Sequence, residues 1–210
     1  MIIKLKTILS ILLAFSLLSC QEKQQPKSLA YIGQHEIKDE DTLYYQIPPF
    51  SFLNQDSILI NNKKLSDRVY VADFFYTNCP TICPIVTNQM LRIYDQYEGK
   101  QQLKLVSFVL DPKRDNVENL KSYAENIGVK NEDWYFLTGD KDRIWELAEK
   151  FFVSVAPDPN DLDEIAHSGK IILVDKAGHV RGFAEGTSEE EVNSFMSKID
   201  LLLREYNLSQ

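Results

Sequence analysis

Two cysteines, Cys79 and Cys83, stand four residues apart in the segment Thr77-Asn-Cys-Pro-Thr-Ile-Cys-Pro84. If that segment is already helical, residues four apart share one face with Cβ atoms about 5–6 Å apart. A disulfide needs about 3.5–4.5 Å between Cβ atoms, so a modest adjustment closes one. Two sulfurs at this separation can also share one metal ion. The N-terminus of a helix carries a partial positive charge that favours thiolate, and thiols so placed fall from a pKa of about 8.5 to about 3.5–7.5. Thiolate is the form that both exchange and ligation require. The plainer reading of a lone C-x-x-x-C is two buried or incidentally paired cysteines. Its place between a hydrophobic strand and a helix, with a proline after each cysteine, favours chemistry.

Two thiolates rarely complete a metal site, which turns attention to His35, His167 and His179. His35 and His179 read as solvated residues, the latter following the Lys176-Ala-Gly178 turn. His167 lies in Ile-Ala-His-Ser-Gly immediately before an apolar run, where a loop entering a sheet can bring a side chain beside a neighbouring strand's site. By itself, a single histidine before a strand is more often a hydrogen-bonded structural residue. Asp73 precedes the cysteine motif and reads either as an outward or hydrogen-bonded strand residue or as a buried carboxyl near the thiols. Asp111 and Asp115 either bracket the site from the next loop or, for Asp115, cap a helix. The acidic run 158–164 reads as a solvated loop that can orient a basic partner. No Ser-His-Asp set and no glycine-rich phosphate loop accompany these residues. A peroxidase-type thiol, with threonine three residues before the reactive cysteine, is also missing: Tyr76 and Pro80 occupy those positions.

The elements that must position these residues alternate. Residues 69–76 (VYVADFFY) and 103–110 read as buried strands, with a helix over 85–97 whose first turn holds Pro84. A helix capped by Asp115 or Asn116 runs to about Ile127, where Gly128 ends it. A short strand covers 134–137, Asp140 caps a helix over 143–152, and residues 154–166 read as a loop with two prolines and four acids. Strands 170–174 and 179–184 flank a turn, a hairpin signal, and Ser188 caps a final helix. Strand–helix alternation implies an α/β fold, a largely parallel sheet covered on both faces, closed by a C-terminal β-hairpin and helix.

The chain has 210 residues, 44% hydrophobic and 26% charged, with net charge −8. That balance excludes a disordered chain, a collagen-like fibre and a polytopic membrane protein. An acidic chain is a poor match for nucleic acid. The first residues carry Lys4 and Lys6, then an apolar stretch over 7–18, then Leu17-Leu-Ser-Cys20. A basic start, a short apolar run and a small residue before the cut describe a secretory signal, too short to span a bilayer. Leu-Leu-Ser-Cys resembles a bacterial lipobox whose cysteine is lipidated. The expected organisation is a signal peptide over 1–19, a lipid anchor at Cys20 with a polar tether to 42, and one domain over 43–210. Cleavage before Cys20 removes two lysines and leaves 21 basic against 31 acidic side chains, a net −10. The expected location is the cell envelope, outside the cytoplasm, where disulfides are permitted, and the expected state is a monomer.

Three segments together resemble the Sco/SenC family. Phe75-Tyr-Thr-Asn-Cys-Pro-Thr-Ile-Cys-Pro84 resembles its copper motif, Leu110-Asp-Pro-Lys-Arg-Asp115 its aspartate-proline-x-arginine-aspartate stretch, and His167-Ser168 followed by Ile171–Asp175 and Gly178 its histidine loop and strand. They occur in the family's order and cover roughly residues 50–203. The resemblance implies a thioredoxin-like fold and a membrane-tethered metallochaperone that delivers copper to cytochrome c oxidase, chiefly its CuA centre. It implies Cys79, Cys83 and His167 as metal ligands. Thr81 departs from the acidic residue common after the family's first Cys-Pro, and a lipid anchor replaces the transmembrane helix of many members. The family also includes members suspected of thiol-disulfide work, so a thiol-disulfide oxidoreductase acting on the oxidase's cysteines, or a copper or redox sensor, is the alternative. Soft thiolates suit Cu(I), imidazole suits Cu(II), and a mixed set can hold either. A structural zinc site ordinarily takes four protein ligands.

Overall fold

The computed structural model describes residues 28–39, 41–130, 132–159 and 165–207. The signal, Cys20 and the expected tether up to residue 27 lie outside them. The described tether residues form part of a small hairpin, β1 (His35–Lys38) with β2 (Asp41–Tyr44). Ahead of it, Ile32 bridges to Val180. The folded unit therefore takes in residues from 29 onward. A second small hairpin, β3 (Ser51–Leu53) with β4 (Leu59–Asn61), precedes one short helical turn, α1 (Asn62–Leu65).

The central sheet is built from β5 (Val69–Phe75), β6 (Leu103–Val109), β7 (Trp134–Leu137), β10 (Lys170–Val174) and β11 (Val180–Glu185), in the order β11-β10-β5-β6-β7. β5, β6 and β7 are parallel, and the closing hairpin joins antiparallel through β10 against β5. β5 is buried along its whole length, VYVADFF, as a parallel strand covered on both faces must be. Helices α2 (Cys83–Tyr97), α3 (Val117–Asn126), α4 (Lys141–Lys150) and α5 (Glu189–Asn207) provide that cover. This is a thioredoxin-like arrangement, as the sequence implies. Stacked and edge-on rings of Phe74, Phe108 and Phe151 fill the centre of the core.

Helix boundaries follow local chemistry. Asn116 and Asp140 accept N–H groups of the first turns of α3 and α4, and Gly128 takes φ 87° just beyond α3. Asn116, rather than Asp115, is the cap. Residues 154–166, expected as loop, instead contribute a short antiparallel pair, β8 (Val155–Pro157) with β9 (Ile165–His167). Prolines and acids made the stretch look irregular, yet only three residues on each side need to pair. Between them, residues 160–164 of the acidic run lie outside the described residues.

One carboxyl sits inside the sheet. Asp73 is 2% exposed, it accepts the Ser107 hydroxyl, and Ser107 Oγ in turn accepts the Trp134 indole N–H at 2.8 Å. Burial pushes the Asp73 carboxyl up to about 7, against the lowering effect of that hydrogen bond. Because the folded pKa lies above the unfolded one, the protonated acid's contribution is complete below pH ~4 and is lost as pH rises through 7. Asp73→Asn keeps the hydrogen bond and removes the charge. Urea unfolding at pH 5 and pH 8 is expected to show wild-type stability falling more between the two than that of the variant, which should be the more stable at pH 8. An equal fall in both proteins would exclude Asp73 as the source.

Candidate metal centre

The chain between β5 and α2 carries both cysteines. Asp115, 1% exposed, holds the start of this loop: its carboxylate accepts the Thr77 N–H at 3.0 Å and the Thr77 hydroxyl. The Asp115 carbonyl in turn accepts the Thr138 hydroxyl at 2.9 Å, which ties the loop to the end of β7. Cys79 N–H reaches the Tyr76 carbonyl in a turn, so Cys79 lies before the helix rather than on its first turn. The sulfurs still meet, by a different route. α2 starts at Cys83 with Ile82 at the N-cap, a residue with no acceptor to offer, and Cys79 Sγ accepts the Cys83 N–H at 3.4 Å. The sulfur thus takes a place normally held by a serine or aspartate oxygen.

His167 comes to the same point from the end of β9. Its Nε2 lies 3.2 Å from Cys83 Sγ. Its Nδ1 lies 3.2 Å from the Ser168 carbonyl, so Nδ1 donates its proton there and Nε2 keeps the lone pair. This orientation by a backbone carbonyl is what metal-ligating histidines generally show. The Tyr76 ring stands edge-on to the imidazole, with centroids 5.9 Å apart. One ligand atom each from Cys79, Cys83 and His167 lies within 4.8 Å of the others. Donors at about 2.0–2.3 Å from one ion stand roughly 3.3–4 Å apart, so small side-chain rotations suffice. No other cluster of this kind occurs among the described residues. A cavity of about 180 Å³ opens on His167 between Tyr76, Pro80, Ile82 and Ile165.

The other two histidines are elsewhere. His35 is exposed on β1. His179 is half-buried at the opposite end of the sheet, with Nδ1 2.8 Å from the Tyr45 carbonyl and an edge-on contact to Tyr31. Asp111 pairs with Arg114 at 3.4 Å on the surface. Sequence reasoning placed Asp115 near the site but missed its grip on Thr77, and missed Tyr76 as the ring against His167.

The two thiols are electrostatically unequal. Burial raises the Cys79 thiol, but hydrogen bonds to its sulfur from the Cys83 thiol and N–H and from Thr81 outweigh that and bring it below the ordinary range. Thr81 Oγ1 is 3.6 Å from Cys79 Sγ; the residue in the position where the family commonly has an acid is here a neutral donor. Burial drives the Cys83 thiol well above the ordinary range, aided by its hydrogen bond to Cys79 and by the charge of Asp73. Burial lowers His167, partly offset by the Ser168 carbonyl, which leaves a neutral imidazole. In the free dithiol Cys79 is therefore the more readily ionised thiol and Cys83 the one that keeps its proton.

A thioredoxin-like domain with two thiols and one imidazole converging at the end of its central strand defines the class. The SCO1/SenC family profile matches residues 39–203, and the chain belongs to that family. The SCO1 protein homolog of Bacillus subtilis (strain 168) is 32% identical over 173 residues, 81% of this chain and 89% of that protein. A putative copper-binding protein of Stutzerimonas stutzeri is 30% identical over 141 residues, 65% of this chain and 67% of that protein. The crystal structure of a SCO1/SenC family lipoprotein from Bacillus anthracis str. Ames superposes with a TM-score of 0.69 at 30% identity, covering 76% of this chain and 95% of that one.

The inequality of the thiols sets a measurable order. Cys79 and Cys83 are 6% and 4% exposed, so access does not separate them, and each pKa unit changes thiolate fraction tenfold. Brief iodoacetamide treatment of the reduced, metal-free protein at pH 7 should label Cys79 at least about tenfold faster than Cys83. The rate should rise with pH through a midpoint below the ordinary thiol value. Peptide mapping gives the ratio; equal labelling would overturn the assignment.

Proposed function

We propose that this protein is a membrane-tethered copper metallochaperone that binds copper through Cys79, Cys83 and His167 and delivers it to cytochrome c oxidase, at the CuA centre. The observation that carries the copper reading is the convergence of two sulfurs and one imidazole nitrogen within 4.8 Å. Two thiolates suit Cu(I), and the added imidazole extends the set to Cu(II). A S₂N set falls one short of the four protein ligands of a structural zinc site. The copper-binding relative and family membership agree with this cargo. Delivery to the oxidase rests on the family resemblance of the three sequence segments.

Transfer requires a site that binds and releases. The cavity beside His167 leaves that donor open to an incoming ligand. Copper passes by stepwise exchange, each donor of the chaperone replaced by a donor of the acceptor. Cys83, the thiol that burial holds in its protonated form, is the donor whose reprotonation favours release.

The same inequality of thiols supports a second reading, a thiol-disulfide oxidoreductase that reduces the oxidase's cysteines before metallation. Cys79 then attacks and Cys83 resolves the mixed disulfide, both becoming one disulfide as the target gains two thiols. The two readings part at His167. His167→Ala is expected to weaken Cu(II) binding by at least about tenfold, while Cys79–Cys83 disulfide exchange changes little. In cells, oxidase activity should fall and be partly restored by added copper. Unchanged Cu(II) affinity in the pure protein together with unchanged oxidase activity would remove His167 from the ligand set and favour the reductase.

Attachment is proposed through lipid on Cys20, on the outer side of a bacterial membrane, with cleavage before that residue. The support is the sequence Leu-Leu-Ser-Cys after a basic start and an apolar run. Cys20→Ala is expected to leave the chain unprocessed or to release it from the membrane fraction. Retention of a processed, membrane-bound chain would exclude the lipoprotein reading.

A further inference from the structure

The pole of the domain opposite the metal centre carries a concentration of positive charge that neither copper nor thiol chemistry uses. A groove of about 720 Å³ there is lined by Arg68, Lys100, Lys176 and Arg204, with Asp67 and Asp200 as its carboxylates. Asp67 is taken up by Arg68 at 3.4 Å, and Asp200 accepts the Tyr97 hydroxyl at 2.9 Å. Lys100 and Lys176 lie over the rings of Tyr97 and Tyr206, 4.5 and 4.7 Å from the centroids, rather than against a carboxylate of the described residues. The arrangement leaves a net positive groove on a chain of net charge −8.

The N-terminal segment enters at this same pole. Leu29 N–H donates to Glu205 at 2.6 Å. The buried Arg181 guanidinium holds the Leu29 and Ala30 carbonyls while pairing with Asp175 at 2.9 Å and Glu205 at 3.0 Å. Glu205 neighbours Arg204 in sequence, and Asp175 neighbours Lys176. The position of Leu29 is therefore fixed beside the groove. Cys20 lies nine residues earlier, a reach of at most about 30 Å. An anchor at Cys20 therefore attaches to the domain at this pole and keeps it within about 30 Å of the headgroups.

We infer that the groove formed by Arg68, Lys100, Lys176 and Arg204 docks on an anionic phospholipid surface and holds the domain upright, with Cys79, Cys83 and His167 facing away from the membrane. β5 runs from this pole to the cysteine loop over seven residues, about 20 Å. The copper cargo is then presented well above the bilayer, to an acceptor domain that stands clear of it. Each cation near an anionic surface strengthens binding roughly five-fold, and the attraction is screened over about 8–10 Å in ordinary salt. The groove adds orientation to an attachment supplied by the N-terminus. This rests on the membrane-tethered reading but not on its chemistry, because either acyl groups on Cys20 or the apolar residues 7–18 bring the same pole to the lipid.

The test is amide hydrogen exchange of the full-length protein in nanodiscs of phosphatidylcholine alone and of phosphatidylcholine with phosphatidylglycerol in equal parts. Exchange at residues 67–68, 100–102, 176–178 and 203–204 should slow several-fold in the anionic discs only. The difference should vanish in 0.5 M NaCl and in the double variant Lys100→Glu/Lys176→Glu, whose Cys79 alkylation rate should be unchanged. Equal exchange in the two lipids overturns the inference and leaves the groove to a protein partner. Slowing at 79–85 and 165–168 instead also overturns it, since it turns the metal centre toward the bilayer. Failure of lipidation appears separately, in the mass of the N-terminal peptide.

Discussion

Everything at the metal centre depends on one seam, the antiparallel pairing of β10 with β5. It sets Ile172 against Ala72 and Val174 against Tyr70. Because β10 runs opposite to β5, the chain just before β10 arrives where the chain just after β5 departs. His167 thereby reaches 3.2 Å from Cys83, 84 residues away in sequence. A slip of one residue would move the histidine by about 3.3 Å and exchange the side chains that pack on the two faces of β10. The core resists that slip: Ile171, Ile172, Leu173 and Val174 have no measurable exposure.

Within this frame the cysteine loop is held at both ends. Asp115 holds Thr77 at its start, and at its finish the sulfur of Cys79 caps the first N–H of α2. The cap has chemical consequences. A helix N-terminus stabilises negative charge on its acceptor, so the thiol that accepts ionises first, and burial keeps the proton on the other. A symmetric pair would make neither a directional nucleophile nor a donor poised to leave. The same packing that positions the sulfurs thus makes them unequal, whichever of the two proposed exchanges they serve.

The domain is polar in a second sense. Its chemistry sits at the end of β5, while its N-terminal entry, its buried Arg181 network and its basic groove sit at the start of that strand. Arg181 is 5% exposed and satisfies two carbonyls and two carboxylates, a fully partnered arrangement of the kind a buried cation needs. Losing one partner would leave the others buried without compensation. The network therefore fixes where the chain enters the fold, and with it which end of the molecule faces an attachment.

Much of this was legible in the residues. A run rich in β-branched and aromatic residues over 69–76 marked β5, strand–helix alternation gave the parallel sheet, and Asn116, Asp140 and Gly128 signalled helix ends, because these depend on local backbone chemistry. Cys79, Cys83 and His167 stood out as candidate ligands because the soft side chains were few and their segments resembled a known family. Other features were invisible because they join residues far apart in sequence. The link from Asp115 to Thr77 spans 38 residues and was masked by the ordinary role of an aspartate before a helix. The pairing of β8 with β9 was hidden by prolines and acids. The inequality of the thiols was hidden because charge on a sulfur is set by burial and by which N–H points at it. Sequence by itself determined most of the elements and the candidate donor set; tertiary structure alone decided their distances, their protonation and the direction they face, since those are properties of packing rather than of local chain preference.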